Sequence, residues 1–115
     1  MRSDDIIRLQ HMLDAAREAI GFARGKTRSD LDRDRMLTLA LVKDIEIIGE
    51  ASTKVSGEAR TEHPGIPWLD IAGMRNRLIH AYFDINLDIL WQTVTEDLPA
   101  LVKELEKAMP PVEQT

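Results

Sequence analysis

The eight residues RNRLIHAY, positions 75–82, gather two arginines, an asparagine, a histidine and the chain's only tyrosine. Arginine offers a fixed fork of donors that matches a phosphate. Histidine titrates near neutral pH and can take or give a proton. On a helix Asn76 lies one turn before His80 and can orient the imidazole. RNA supplies its own nucleophile, the 2′-hydroxyl. Arg75 and His80, doubled by a second copy of the chain, therefore have the chemistry to cleave RNA without a metal. The competing reading is a helix face on which Arg and His are structural.

The helix carrying Arg75 is expected to run into this stretch. Arg75 and His80, five apart, do not stack on a straight helix, so either it distorts near its end or the two groups reach a shared substrate from different angles. With Arg75 at zero and ~100° per residue, Tyr82 falls near ~20°, Ile79 near ~40°, Phe83 near ~80°, Asn76 near ~100° and His80 near ~140°. Ile71, Met74 and Leu78 take the other side, toward a core. Ile79 and Phe83 among polar groups describe a partner surface or a lined groove better than a purely solvated face.

Four further motifs compete for a role. GFARGKT, residues 21–27, ends like a phosphate-binding loop, but Gly21 stands one residue too close to Gly25 and the segment follows a helix instead of a strand. It reads as a helix C-cap with a basic loop. The histidines, His11, His63 and His80, form no metal-ligand spacing, and cysteine is absent. His11 and Asp14 read as a surface pair. Glu46 and Glu50, four apart, read either as a solvated face or as the lining of a polar groove near the helix of Arg75. Trp68 and Trp91 read as packing residues.

The elements that must position these groups are helical. Ile6, Leu9, Leu13, Ala16, Ile20 and Ala23 recur at spacings of three and four after Ser3 and Asp4, and Gly25 closes that helix. A second helix begins near Ser29 or Asp30, carries Leu37, Leu41, Ile45, Ile48 and Val55, and fades between Ser56 and Arg60. TEHPGIP is a loop, and Pro67 suits the first turn of a third helix. Asp84 and Asn86 are turn and cap residues. A last helix runs from Leu87 to Met109, with Pro99 kinking it or starting a new one near Thr95. The tail at 110–115 is expected to fray.

No strand, repeat or low-complexity segment is evident. The expectation is an all-α up-down bundle of four to five helices, one domain over residues 1–115. Apolar residues make up 43% and charged residues 30%, and the net charge is −5. That sign excludes holding nucleic acid by bulk electrostatics but allows a local cationic site, to which Arg77 could contribute. No apolar run reaches the ~20 residues of a membrane span. A cytoplasmic protein without cofactors is the simplest reading.

The pattern R-x4-H-x-Y, here Arg75, His80 and Tyr82, resembles the signature of the HEPN domain superfamily. The similarity extends over GIPWLDIAGMRNRLIHAYFDINLDILWQTVTEDLPALVKELE and over IEIIGEAST. Together these segments look like HepT, the toxin of the HepT–MntA toxin–antitoxin pairs. The resemblance implies a homodimer with both motifs in one cleft and metal-independent RNA cleavage. It makes His80 the general acid–base, Arg75 the phosphate ligand and Asn76 a supporting residue. It also implies an MntA-like nucleotidyltransferase partner that transfers AMP onto Tyr82. Two other readings stand beside it. One is a non-catalytic module whose face at 75–83 binds the nucleotidyltransferase or a nucleotide. The other is a helical dimer whose motif is only packing.

Overall fold

The computed structural model describes residues 1–81 and 84–111. Tyr82, Phe83 and most of the expected frayed tail, residues 112–115, lie outside the described residues, as do the side chains of His80 and Ala81. Helix α1 spans Ser3–Ala23, α2 Asp30–Arg33, α3 Arg35–Thr53, α4 Gly57–Glu62 and α5 Trp68–Leu78. Two short strands follow, β1 (Ile79–Ala81) and β2 (Asp84–Ile85). Then come α6 (Leu87–Gln92), one π-helical turn (Thr93–Asp97) and α7 (Leu98–Ala108).

The long helices form an all-α, up-down bundle. Asp5, near the start of α1, bonds Ser56, just past the end of α3, while Glu18 lies beside Asp44. Those two pairs set α1 and α3 antiparallel. Glu46 meets Arg75, and Gly49 faces the Ile71 carbonyl, so α3 and α5 are antiparallel too. Arg17 pairs with Glu106 at 2.9 Å while Ile20 and Ala23 lie beside Val94 and Pro99, which does the same for α1 and α7. The core follows the predicted stripes. Leu9, Leu13, Ala16, Leu41, Ile45, Ile48, Ile71, Met74, Leu78, Leu98, Leu101 and Leu105 are all buried. Burial of these stripes, at about 25 cal/mol per Å² of apolar surface, is what drives the helices together.

Several boundaries differ from expectation, each for a local reason. The second predicted helix is broken at Asp34, whose backbone (φ −114°, ψ 89°) leaves the helical region and whose side chain caps Leu37 N–H. The helix also stops at Thr53 instead of fading past Ser56. Ser56 turns into the N-cap of a new helix, α4, accepting from Ala59 N–H. Ser56 is itself held from α1, since its N–H and its hydroxyl each donate to Asp5 at 2.8 Å. Gly25, at φ +77°, closes α1 as expected from GFARGKT, in the left-handed conformation glycine adopts freely.

Pro99 acts as expected, by a specific device. It has no N–H, and in a regular helix its ring would press on the carbonyl of Thr95. The π turn resolves the conflict: Leu98 N–H bonds Thr93 O, one residue further back than an α-helix allows, and α7 starts with Pro99 in its first turn.

One buried group runs against the solvated surface. Asp44 on α3 is 2% exposed, and its Oδ2 has no hydrogen-bond partner among the described residues. Burial pushes its carboxyl up to about 7, helped by a hydrogen bond with Glu18 and by the Glu18 charge. Because the folded pKa lies above the unfolded one, this group's stability is complete below about pH 4 and is lost as pH rises toward 7. Asp44→Asn is therefore expected to raise the melting temperature at pH 8, with the gain shrinking toward pH 4. Thermal unfolding of both proteins across that pH range checks it.

Candidate active site

Helix α5 sets the position of Arg75. Ile71, Met74 and Leu78 bury one face against the core, at 1%, 5% and 0% exposure, and that fixes the rotation of the helix. Arg75 then falls at the α3 side of the seam. Its Nε donates to Glu46 Oε1 at 3.2 Å, with the arginine side chain 51% exposed and the glutamate 34%. Of the two readings of Glu46 and Glu50, the structure separates the residues. Glu46 turns to the third helix, while Glu50 stays in solvent and pairs with Lys54 at 3.7 Å.

The helix does not continue through RNRLIHAY. Ile79 leaves it at φ −117°, ψ 109°, its N–H making the last helical bond to Arg75 O. The chain then runs extended, and Ile79 pairs antiparallel with Ile85 and Ala81 with Asp84. Asn86 N–H closes the ribbon on Leu78 O at 2.7 Å, and the Asn86 side chain caps α6 by accepting from Ile89 N–H at 3.0 Å. The expectation of no strand is thus corrected, and so is the helical wheel beyond Leu78. The reason is composition: Ile79 and Ile85 are β-branched and prefer extended backbone, and Asn86 favours a cap over a helix interior. Arg75 and Asn76 sit at a helix C-terminus, whose partial negative charge favours cations. His80 sits two residues past that end, in the ribbon.

The structure therefore brings Arg75 and Asn76, both exposed, to the mouth of the ribbon that carries His80. Tyr82, the expected modification site, lies outside the described residues. Arg77 does not join this site. It turns to the other flank of α5, where its Nη2 donates to Asp70 O at 2.9 Å, and it lines a cavity toward α7. That corrects its expected part in a basic cleft: on one helix turn, residues two apart point away from each other. Glu46 is the partner of Arg75 that the R-x4-H pattern could not supply. Its signal was its position four before Glu50, on the α3 face toward α5.

The other motifs resolve as packing or surface. Trp68 donates from Nε1 to His63 O at 3.1 Å, and Trp91 is half-buried on the core. Asp14 accepts from Gln10 at 2.7 Å instead of pairing with His11. Among the described residues no group of three or more His, Asp or Glu side chains is placed to hold a metal ion. None of the described helices is long and apolar enough to cross a membrane.

The chain is thus a helical bundle with an arginine held at a helix end, next to a ribbon bearing histidine. The chain belongs to the Ribonuclease HepT-like family, whose model matches residues 12–108. It is similar to an RNase candidate of Caldanaerobacter subterraneus subsp. tengcongensis, 39% identical over 101 residues that cover 88% of this chain and 90% of the relative. An RNase candidate of Methanocaldococcus jannaschii is 37% identical, over 85% of this chain and 90% of the relative. The protein named "Probable ribonuclease HepT" of Thermococcus cleftensis is 42% identical, over 75% of this chain and 78% of the relative. No solved structure matches.

The Glu46 contact makes a measurable claim about Arg75. Glu46→Gln keeps the shape but weakens the pairing charge, and Glu46→Ala frees the guanidinium. RNA binding to the purified chain, read by fluorescence anisotropy, is expected to weaken several-fold in Glu46→Ala and less in Glu46→Gln. Equal or tighter binding in Glu46→Ala would show that the pair restrains Arg75 without helping it.

Proposed function

We propose that the chain is the toxin of a toxin–antitoxin pair, a metal-independent endoribonuclease that works as a homodimer. One observation carries the reading: Arg75 is held through Nε by Glu46, half exposed, five residues before His80, in a chain of this family. An arginine gripped at Nε keeps both terminal amino groups for the non-bridging oxygens of a phosphate. The RNA 2′-oxygen attacks phosphorus, its bond to phosphorus forms and the bond from phosphorus to the 5′-oxygen breaks. One proton leaves the 2′-hydroxyl and one arrives at the 5′-oxygen. Two copies supply two His80 imidazoles, one for each transfer. The products are a 2′,3′-cyclic phosphate and a 5′-hydroxyl. Asn76 supports the imidazole.

The dimer is supported by the free face of α5. Leu69 there is 90% exposed, and Ala72 and Asn76 follow at helical spacing, also exposed. A second copy covering that face would bring the two Arg75 residues toward one cleft. The whole chain acts as one domain in the cytoplasm, where RNA is the substrate and a minimal nucleotidyltransferase of the MntA kind is the partner. That partner places AMP on Tyr82: the phenol oxygen attacks the α-phosphate of ATP and pyrophosphate leaves. The new phosphodiester would compete with RNA for Arg75. A second reading, a non-catalytic module that docks the nucleotidyltransferase, is favoured by the net charge of −5 and by the partial neutralisation of Arg75 by Glu46.

The test is expression without a partner, following growth and total RNA. Wild type is expected to arrest growth and fragment RNA, and His80→Ala to do neither while staying folded. A fully toxic His80→Ala protein would remove His80 from the chemistry. No effect from either protein, with AMP still added to wild type and lost in Tyr82→Phe, would favour the docking module.

A further inference from the structure

The bundle has four seams, and one is open. α7 packs on α1, α1 on α3 and α3 on α5. Between α5 and α7 lies a cavity of about 500 Å³, within the range of roughly 300–1,000 Å³ that ligand pockets occupy. It is on the flank of α5 away from Glu46 and is no part of the site above. Its apolar lining is Pro67 and Ala100 at the surface, over Ile71, Met74 and Leu101 of the core. Its polar lining carries three carboxylates: Asp70 from α5, Asp97 from the π turn and Glu104 from α7.

These carboxylates are short of cations. Glu104 accepts from Lys107 at 3.1 Å, an exposed pair of little strength. Asp70 and Asp97 enter no ion pair among the described residues. Arg77, the one cation among the described residues that line the cavity, donates to a backbone carbonyl instead. The guanidinium passes close to Gly73, where an added Cβ would lie 3.2 Å from Arg77 Nη1. The loop before α5 also presses on the rim: a Cβ at Gly65 would meet Glu104 Oε2 at 2.6 Å.

Charge and apolarity together select the occupant. The acidic rim repels a nucleic-acid backbone. The apolar floor gives nothing to a hydrated ion. A second copy, itself at net charge −5, is a poor counterpart. A lysine or arginine side chain has both required parts, an aliphatic stem and a cationic head. The geometry points to the α5/α7 seam as the docking site for a basic, apolar-flanked segment of a partner protein. The stem lies on Ile71, Met74 and Leu101, and the head sits among Asp70, Asp97 and Glu104. The occupant then grips the same helix that carries Arg75 and Asn76, from the opposite flank. On the reading above, to which this inference is tied, the nucleotidyltransferase supplies that segment.

The experiment uses the full chain and its cognate nucleotidyltransferase, with binding followed by titration calorimetry at two salt concentrations. Asp97→Lys/Glu104→Lys is expected to weaken the complex at least tenfold and to remove most of its salt dependence. Asp97→Asn/Glu104→Gln, a gentler change at the same exposed rim, is expected to weaken it by less. RNA cleavage by the unpartnered chain should be unchanged in both. If wild type binds the nucleotidyltransferase and the charge-reversed chain binds it equally well, the docking site is wrong and the partner stands. If wild type does not bind it at all, the partner reading falls and takes this assignment with it. A changed oligomeric state of the charge-reversed chain, read by light scattering, would make a second copy the occupant and overturn the proposal.

Discussion

Everything at the site depends on where α5 stops. The helix ends because Ile79 turns extended and Asn86 N–H, not a residue of the next helical turn, satisfies Leu78 O at 2.7 Å. A helix terminus leaves its last carbonyls without internal partners, and the returning strand supplies one. The same bond fixes the start of α6, because Asn86 caps it. One residue thus closes the ribbon and launches the next helix. Arg75 and Asn76 are left in the last turn of α5, and His80 is carried beyond it on a segment anchored at both ends.

On the proposed function, an acidic chain has to hold an anion through a local contact. Net charge governs long-range attraction, whereas a guanidinium fixed at short range acts through hydrogen bonds of set geometry. Glu46 lowers the local positive charge but restrains a long side chain that would otherwise lose entropy on binding. The opposite flank of α5 uses the reverse arrangement, with Arg77 tied to a carbonyl and carboxylates left facing the α7 seam. The two flanks of one helix therefore differ: on one Arg75 is paired with a carboxylate, and on the other carboxylates line a seam without a matching ion pair for Asp70 or Asp97 among the described residues. Asp44, buried beside Glu18 in a third seam, is a carboxyl that burial pushes up to about 7.

The bundle was legible because its stripes are long. Leu9 to Ala23, Leu37 to Ile48 and Leu98 to Leu105 repeat at helical spacing over several turns, and burial follows them. Pro99 and Gly25 announced their breaks because each acts through its own backbone. The breaks that sequence did not announce arise from distant partners. Asp5 holds Ser56 from 51 positions away, so no local pattern could show that α3 ends and α4 begins there. At the site, periodicity favoured a continuous helix because Ile71, Met74 and Leu78 fit one so well. The β-formers at 79 and 85 were the contrary signal, and pairing across the ribbon decided between them. Arg75, Asn76 and His80 were singled out by residue type and spacing, and their expected roles came from the family resemblance. Glu46 was open to two readings, solvated face or groove lining, until the antiparallel packing of α3 and α5 placed it against Arg75.

The most direct measurement is cleavage of a single-stranded RNA by the purified chain in excess chelator, beside the same strand with 2′-deoxyribose at every cut position. Phosphoryl transfer by a histidine and an arginine, with the nucleophile supplied by the substrate, requires that only the ribose strand is cut. Its fragments must end in a 2′,3′-cyclic phosphate and a 5′-hydroxyl. Equal cutting of the deoxy strand, or cutting that disappears with chelation, would contradict that chemistry and mean that the nucleophile comes from elsewhere than the 2′-oxygen or that a metal is required.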